Sequence, residues 1–90
     1  MQAYKIHNLI IVADIKEEAC DFYRLEIGGE LPNVPDLIEE LPSLMEVCSD
    51  DGTFKTIKTR INEEMDIRNA WLNMGVPCEL HWPFVIGTLP

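Results

Sequence analysis

The chain opens with an apolar run that leads directly into an amphipathic segment. Side chains alternate between two faces across residues 4–13, and from Leu9 to Ala13 both faces are apolar. Alternation is typical of a β-strand, and a strand that is apolar on both faces is usually covered on both sides. We therefore predict one strand over residues 4–13, at the centre of a sheet or at a dimer seam.

The next segment has the periodicity and the end signals of an α-helix. Asp14 is a favourable N-cap residue, and Glu17 three positions later completes a pattern similar to a capping box. Gly28 or Gly29 suits the left-handed conformation that ends many helices. The apolar side chains share one arc of the helix: Ile15, Ala19, Cys20, Phe22, Tyr23 and Ile27. These signals predict a helix over residues 15–27.

Proline and glycine divide the middle of the chain. Residues 30–43 contain three prolines and predict a connection, with room for a short helix at 36–41. Residues 44–48 predict a short strand, and the Asp-Gly pair at 51–52 is a strong turn signal. Residues 53–58 fit two interpretations, either the second strand of a hairpin or the start of the next helix.

The last third of the chain predicts a second helix and a final strand. An apolar arc indicates a helix over at least residues 59–74, and Gly75 followed by Pro77 ends it. Residues 78–86 alternate as a strand does, and the prolines place that strand at a sheet edge or at a bend.

These elements predict a single domain spanning residues 1–90, in the order β-α-β-α-β. The fold class is α/β or α+β, with a three- to four-stranded sheet and two main helices packed on one face. A hairpin closed at 51–52 would add the fourth strand.

Composition makes self-association the expected state. A chain of 90 residues has a modest core, yet 47% of these residues are apolar. Part of that apolar surface stays exposed on a small domain, and association with a second copy of the chain is the usual way to bury it. We expect a homodimer, with Trp71, Trp82 and Phe84 as candidate interface residues.

Charge and cysteine content exclude several partners and compartments. A net charge of −9 disfavours direct binding to nucleic acid and to anionic membrane surfaces. No segment approaches the roughly 20 apolar residues of a membrane helix. The three cysteines are scattered without CxxC spacing, which indicates a reducing compartment, and we expect a soluble, cytoplasmic protein.

Glu64 and Arg68 form the first candidate site. Both lie within the apolar arc of the second predicted helix, and Glu precedes Arg by four residues, the favourable order for a helical ion pair. One interpretation is an arginine held in a partly desolvated groove, where it binds a carboxylate or phosphate. The other is a structural pair whose arginine stem lies over apolar neighbours.

His7, Glu79 and His81 form the second candidate site. Glu79 and His81 share one face of the predicted last strand. If the first and last strands are neighbours, His7 joins them as a set of two histidines and a carboxylate, which can hold a divalent metal or another small ligand. Because that convergence depends on strand order, the sequence predicts no bound metal and no cofactor.

The remaining sequence features favour a function without catalysis. Nucleotide-binding loops, hydrolase elbows, the HExxH motif and zinc-ribbon spacings do not occur in the sequence. We therefore predict an interaction or accessory module that self-associates. The alternatives are a small-molecule or anion binder, or minor enzyme, at the two candidate sites, and an acidic inhibitor that mimics nucleic acid.

Overall fold

A two-residue turn divides the first predicted strand into a hairpin. In the computed structural model, which describes residues 1–31, 38–48 and 52–88, strand β1 is Gln2–Ile6 and strand β2 is Leu9–Ala13. They pair antiparallel, with Ile6 opposite Leu9 across the turn. His7 takes a φ of 53°, the left-handed conformation that tight hairpin turns require. The prediction of one continuous strand over residues 4–13 is therefore wrong at its middle.

Four antiparallel strands form the main sheet. Strand β3 is Glu39–Leu41 and pairs with β1, whereas the last strand of the chain, β6, is Phe84–Thr88 and pairs with β2. Since β2 lies between two neighbours and is buried on both faces, its predicted central position is confirmed. The predicted short helix at 36–41 is wrong for Glu39–Leu41, and the rest of it lies largely outside the described residues.

A second, two-stranded sheet precedes the long helix. Strands β4 (Glu46–Cys48) and β5 (Phe54–Thr56) pair antiparallel, and helix α2 (Ile57–Asn73) begins at the next residue. Residues 53–58 are thus strand first and helix afterwards. The Thr56 hydroxyl caps the helix by accepting a hydrogen bond of 3.2 Å from the Thr59 amide. Residues 49–51 of the predicted turn lie outside the described residues.

The first helix is shorter than its apolar arc predicts, and its last turn widens. Helix α1 is Lys16–Phe22, and Tyr23–Ile27 continue as one π-helical turn that ends at Gly28, whose φ is 80°. The left-handed glycine stop is confirmed. The predicted Asp14 cap is not, because Ile15 occupies the N-cap position and makes no side-chain hydrogen bond.

The two helices contact opposite faces of the main sheet. One buried cluster joins Tyr4, Ile6 and Ile11 to Ala19 and Tyr23 of the first helical segment. The other joins the opposite face of the sheet to β4 and to the start of α2, through Ala3, Ile10, Val12, Val47, Ile57 and Ile86. The predicted packing of both helices on one face and the β-α-β-α-β order are not confirmed. The architecture is a small α+β fold.

The second half of α2 packs against residues 78–83 and the start of β6. Gly75 has a φ of 82° and ends the helix as predicted. Residues 78–83, which we call the strap, contain no helix or strand and run back from the helix end to β6. The predicted last strand is therefore correct from Phe84 onward and wrong for the strap.

Candidate functional site

Arg68 links α2 to the strap. Arg68 is only 7% exposed, although its guanidinium group carries a full positive charge. Its Nε donates to Oε1 of Glu64 at 3.2 Å, so the ion pair predicted from the helical spacing is present. The guanidinium also lies over the ring of Phe84, 4.8 Å from its centre, where a cation is favourable.

The same guanidinium binds the backbone of the strap. Its Nη1 lies 3.0 Å from the carbonyl oxygens of Glu79 and Leu80 and 2.8 Å from that of Trp82. The Cys78 thiol donates to the carbonyl oxygen of Arg68 at 3.7 Å. Irregular backbone has no ladder to satisfy its carbonyls, so a buried cation that bonds three of them fixes its path. Arg68 thus positions the strap.

A groove follows this contact along the side of α2. It measures about 710 Å³, and its lining includes Arg68, Trp71, Leu72 and Trp82. Within it, the Nε and Nη1 atoms of Arg68 are already engaged by Glu64 and the strap. A bidentate ligand would compete with these internal bonds, which weakens the interpretation of Arg68 as an anion-binding residue.

The histidines of the second candidate site lie at opposite ends of β2. His7, in the hairpin turn, donates from Nε2 to the carbonyl oxygen of Glu30 at 2.8 Å. His81 lies beyond the other end of the strand, with Nδ1 3.1 Å from Oδ2 of Asp14. Five residues of β2 separate the two, roughly 16 Å at a strand rise of about 3.3 Å. Among the described residues, no three histidine, cysteine or acidic side chains converge on a point that could hold a metal.

Two of the three predicted interface residues are exposed. Trp71 and Trp82 are each about half exposed and line the same groove. Phe84 is half-buried and packs against the second core cluster and Arg68. Leu72, Met74 and Val76, which follow Trp71 closely in the sequence, are also exposed. We call the exposed set the apolar tip: Trp71, Leu72, Met74, Val76 and Trp82.

A second cleft, which sequence reasoning missed, lies between α1 and the strap. It measures about 540 Å³. Its apolar lining is Phe22, Leu25, Leu80, Trp82 and Pro83, and its acidic lining is Asp14, Glu18, Asp21, Glu26 and Glu79, joined by His81. We call it the acidic cleft. Glu18, Phe22 and Glu26 recur every four residues, which places them along one side of the first helical segment, and Asp14 precedes Glu18 by the same step just before the helix. This spacing is the signal in the sequence.

The Cys20 thiol is partly buried. Burial raises the pKa of its thiol, and the positive charges of Lys16 and Arg24 offset this only in part. Since the thiolate is the reactive form, a raised pKa argues against catalysis by this cysteine. Burial, reinforced by Glu40, likewise raises the pKa of the Tyr4 hydroxyl.

Comparison with known proteins adds no family to this geometry. The chain matches no protein-family model, no curated protein and no solved structure. Within the described part of the chain, neither helix has both the length and the apolar character needed to span a bilayer.

Proposed function

We propose that the protein is a non-catalytic interaction module that self-associates through its apolar tip. The observation that carries this proposal is the exposure of the tip. Met74 is 77% exposed, and the two tryptophans that line the groove are about half exposed. Large apolar side chains that are exposed in one segment of a small domain often mark an interface.

The distribution of charge favours a second copy of the chain as the occupant. Two identical bodies with a net charge of −9 repel each other over most of their surface. Residues 69–78 contain no charged side chain, and they include four of the five residues of the tip. The tip is therefore a surface on which two copies meet with little like-charge repulsion.

A symmetric contact suits this geometry. In a twofold dimer the same patch faces itself, so each Trp71 packs on apolar residues of the other copy. Aromatic side chains at the centre of such a patch contribute most of the binding energy. Arg68 has a supporting role, because it fixes the strap and thereby the position of Trp82.

Localisation in a reducing compartment such as the cytoplasm accords with this proposal. All three cysteines lie in the described residues, and none is in a disulfide. Small domains of oxidising compartments commonly rely on such bonds.

Met74→Glu tests the proposal directly. It places a charge in the tip at an exposed position, so the fold tolerates it, whereas each dimer would contain two new carboxylates at the contact. Light scattering coupled to size exclusion should give twice the chain mass of 10.3 kDa for the parent and a single chain mass for the variant.

Leu44→Glu is the matched control. Leu44 is 75% exposed but lies outside the tip, in the connection before β4. It should leave the dimer intact. A parent protein that stays monomeric across the accessible concentrations would refute self-association, and dissociation by Leu44→Glu would place the contact elsewhere.

A further inference from the structure

The acidic cleft combines an apolar interior with a row of carboxylates. Leu25 is 80% exposed at its edge, and Trp82, about half exposed, forms part of the opposite wall on the strap. A cleft of about 540 Å³ with aromatic and aliphatic lining accepts apolar side chains. The charges around the cleft therefore determine which kind of molecule can bind in it.

Those charges are largely uncompensated. Asp14 is close to His81, and Asp21 pairs with Arg24 on the same helix. Glu18, Glu26 and Glu79 form no ion pair with any described residue, although all three line the cleft. The cleft therefore presents at least three carboxylates to its occupant, on a body whose net charge of −9 attracts cations from a distance.

The length of the carboxylate row distinguishes a peptide from a small cation. Glu18 and Glu26 are eight residues apart, which is roughly 12 Å along a helical segment. An inorganic cation or a single ammonium group contacts only one part of such a row. A chain segment with several Lys or Arg side chains matches its whole length.

We propose that the acidic cleft binds a basic amphipathic segment of another protein. Apolar side chains of that segment enter between Leu25 and Trp82, while its Lys and Arg side chains pair with Glu18, Glu26 and Glu79. A second copy of the chain is a poor occupant, because it brings the same excess of negative charge. This inference goes beyond self-association and does not depend on it.

A synthetic peptide serves as the probe. It has about twelve residues, with Leu and one Trp at positions i, i+3, i+4 and i+7 and with Lys and Arg at the others, so that as a helix it has one apolar face and spans the row. A second peptide replaces Leu and Trp by Ser and keeps the charge, and spermine represents a small polycation. Fluorescence anisotropy of the labelled peptides measures their binding. Displacement of the labelled amphipathic peptide by spermine measures the binding of spermine.

The amphipathic peptide should bind at least about tenfold more tightly than the Ser peptide, because only the former buries apolar side chains. Leu25→Ser should weaken its binding about fivefold, and this exposed position leaves the fold unchanged. The double change Glu18→Gln and Glu26→Gln should weaken binding by about tenfold at low salt, with a smaller salt dependence.

A matched pair of charge changes controls for non-specific attraction. Glu17→Gln combined with Glu39→Gln removes the same charge from exposed positions outside the cleft and should change the affinity by less than about twofold. Circular dichroism of every variant checks the helices.

Three results would overturn the proposal. Equal binding of the two peptides would indicate attraction by charge alone, as expected of a nucleic-acid mimic. Competition by spermine that is as effective as that of the peptide would indicate a small-cation site. Equal losses in the Glu18/Glu26 and Glu17/Glu39 variants would remove the cleft as the location. Met74→Glu should retain peptide binding, so failure of the dimer and failure of this site are distinguishable.

Discussion

Nη1 of Arg68 donates a hydrogen bond of 2.8 Å to the carbonyl oxygen of Trp82, fourteen residues further along the chain. The same atom lies 3.0 Å from two other carbonyl oxygens of the strap. One buried cation thus replaces the hydrogen bonds that a regular strand would supply. Because Trp82 lines both the groove beside α2 and the acidic cleft, Arg68 determines the shape of both.

Arg68→Ala should lower the free energy of unfolding by about 3 kcal/mol, since it leaves three carbonyls and the Glu64 carboxylate without their partner. Arg68→Lys should be intermediate, because an ammonium group keeps the charge but lacks the planar fork. Urea denaturation followed by circular dichroism measures the change.

Arg24→Ala is the control for this prediction. Arg24 pairs with Asp21 at the surface, so its loss should cost less than about 0.5 kcal/mol. If Arg68→Ala were equally mild and also removed binding of an anion such as phosphate, Arg68 would be a ligand residue and not a structural one.

His7 should contribute to stability through its side chain despite an unfavourable backbone conformation. His7→Ala removes the bond to Glu30 and the packing on Tyr23, 5.7 Å away between ring centres, and it keeps a residue with Cβ at a φ of 53°. It should cost about 2 kcal/mol. His7→Gly relieves the backbone and should cost about 1 kcal/mol less, as measured by thermal unfolding. Equal losses of stability in the two variants would contradict the inference that the backbone of His7 is strained.

The hairpin at His7 explains why the sequence predicted the first helical segment better than the sheet. Alternation places Ile6 and Ile10 on one face of a continuous strand. The two-residue turn reverses that relationship, so Ile6 joins the cluster under α1 while Ile10 joins the cluster under α2. The His-Asn pair lacks the glycine that signals such turns, and nothing local distinguishes the two arrangements.

The Thr56 hydroxyl should stabilise α2 as its N-cap. Thr56→Ala removes the bond from the Thr59 amide and should cost about 1 kcal/mol in the free energy of unfolding. Thr56→Ser keeps an oxygen at the same place and should cost less than about 0.3 kcal/mol. Urea denaturation compares the two, and a serine variant as unstable as the alanine variant would mean that the threonine methyl group matters instead of the cap.

The spacing of residues along the sequence predicts only those contacts of the candidate site that join residues close together in the chain. Glu64 and Arg68 are four residues apart on one helix, so their pairing is readable from the sequence. The carbonyl partners of Arg68 lie eleven to fourteen residues away on irregular backbone, which no periodicity describes. The acidic cleft was missed for the same reason, because it exists only where the strap returns beside α1.

Cys20 should react with iodoacetamide more slowly than Cys48 in the folded protein. Burial raises the pKa of the Cys20 thiol, so less thiolate is present at any pH below that pKa, whereas Cys48 is exposed. At about pH 8 we expect Cys20 to react at the lower rate, measured by peptide mass mapping, and its rate should keep rising as the pH passes the ordinary thiol pKa of about 9. In urea the two rates should become equal, since burial is lost. A Cys20 that reacts as fast as Cys48 in the native state would mean that the α1 surface opens readily, or that Cys20 is an activated thiol.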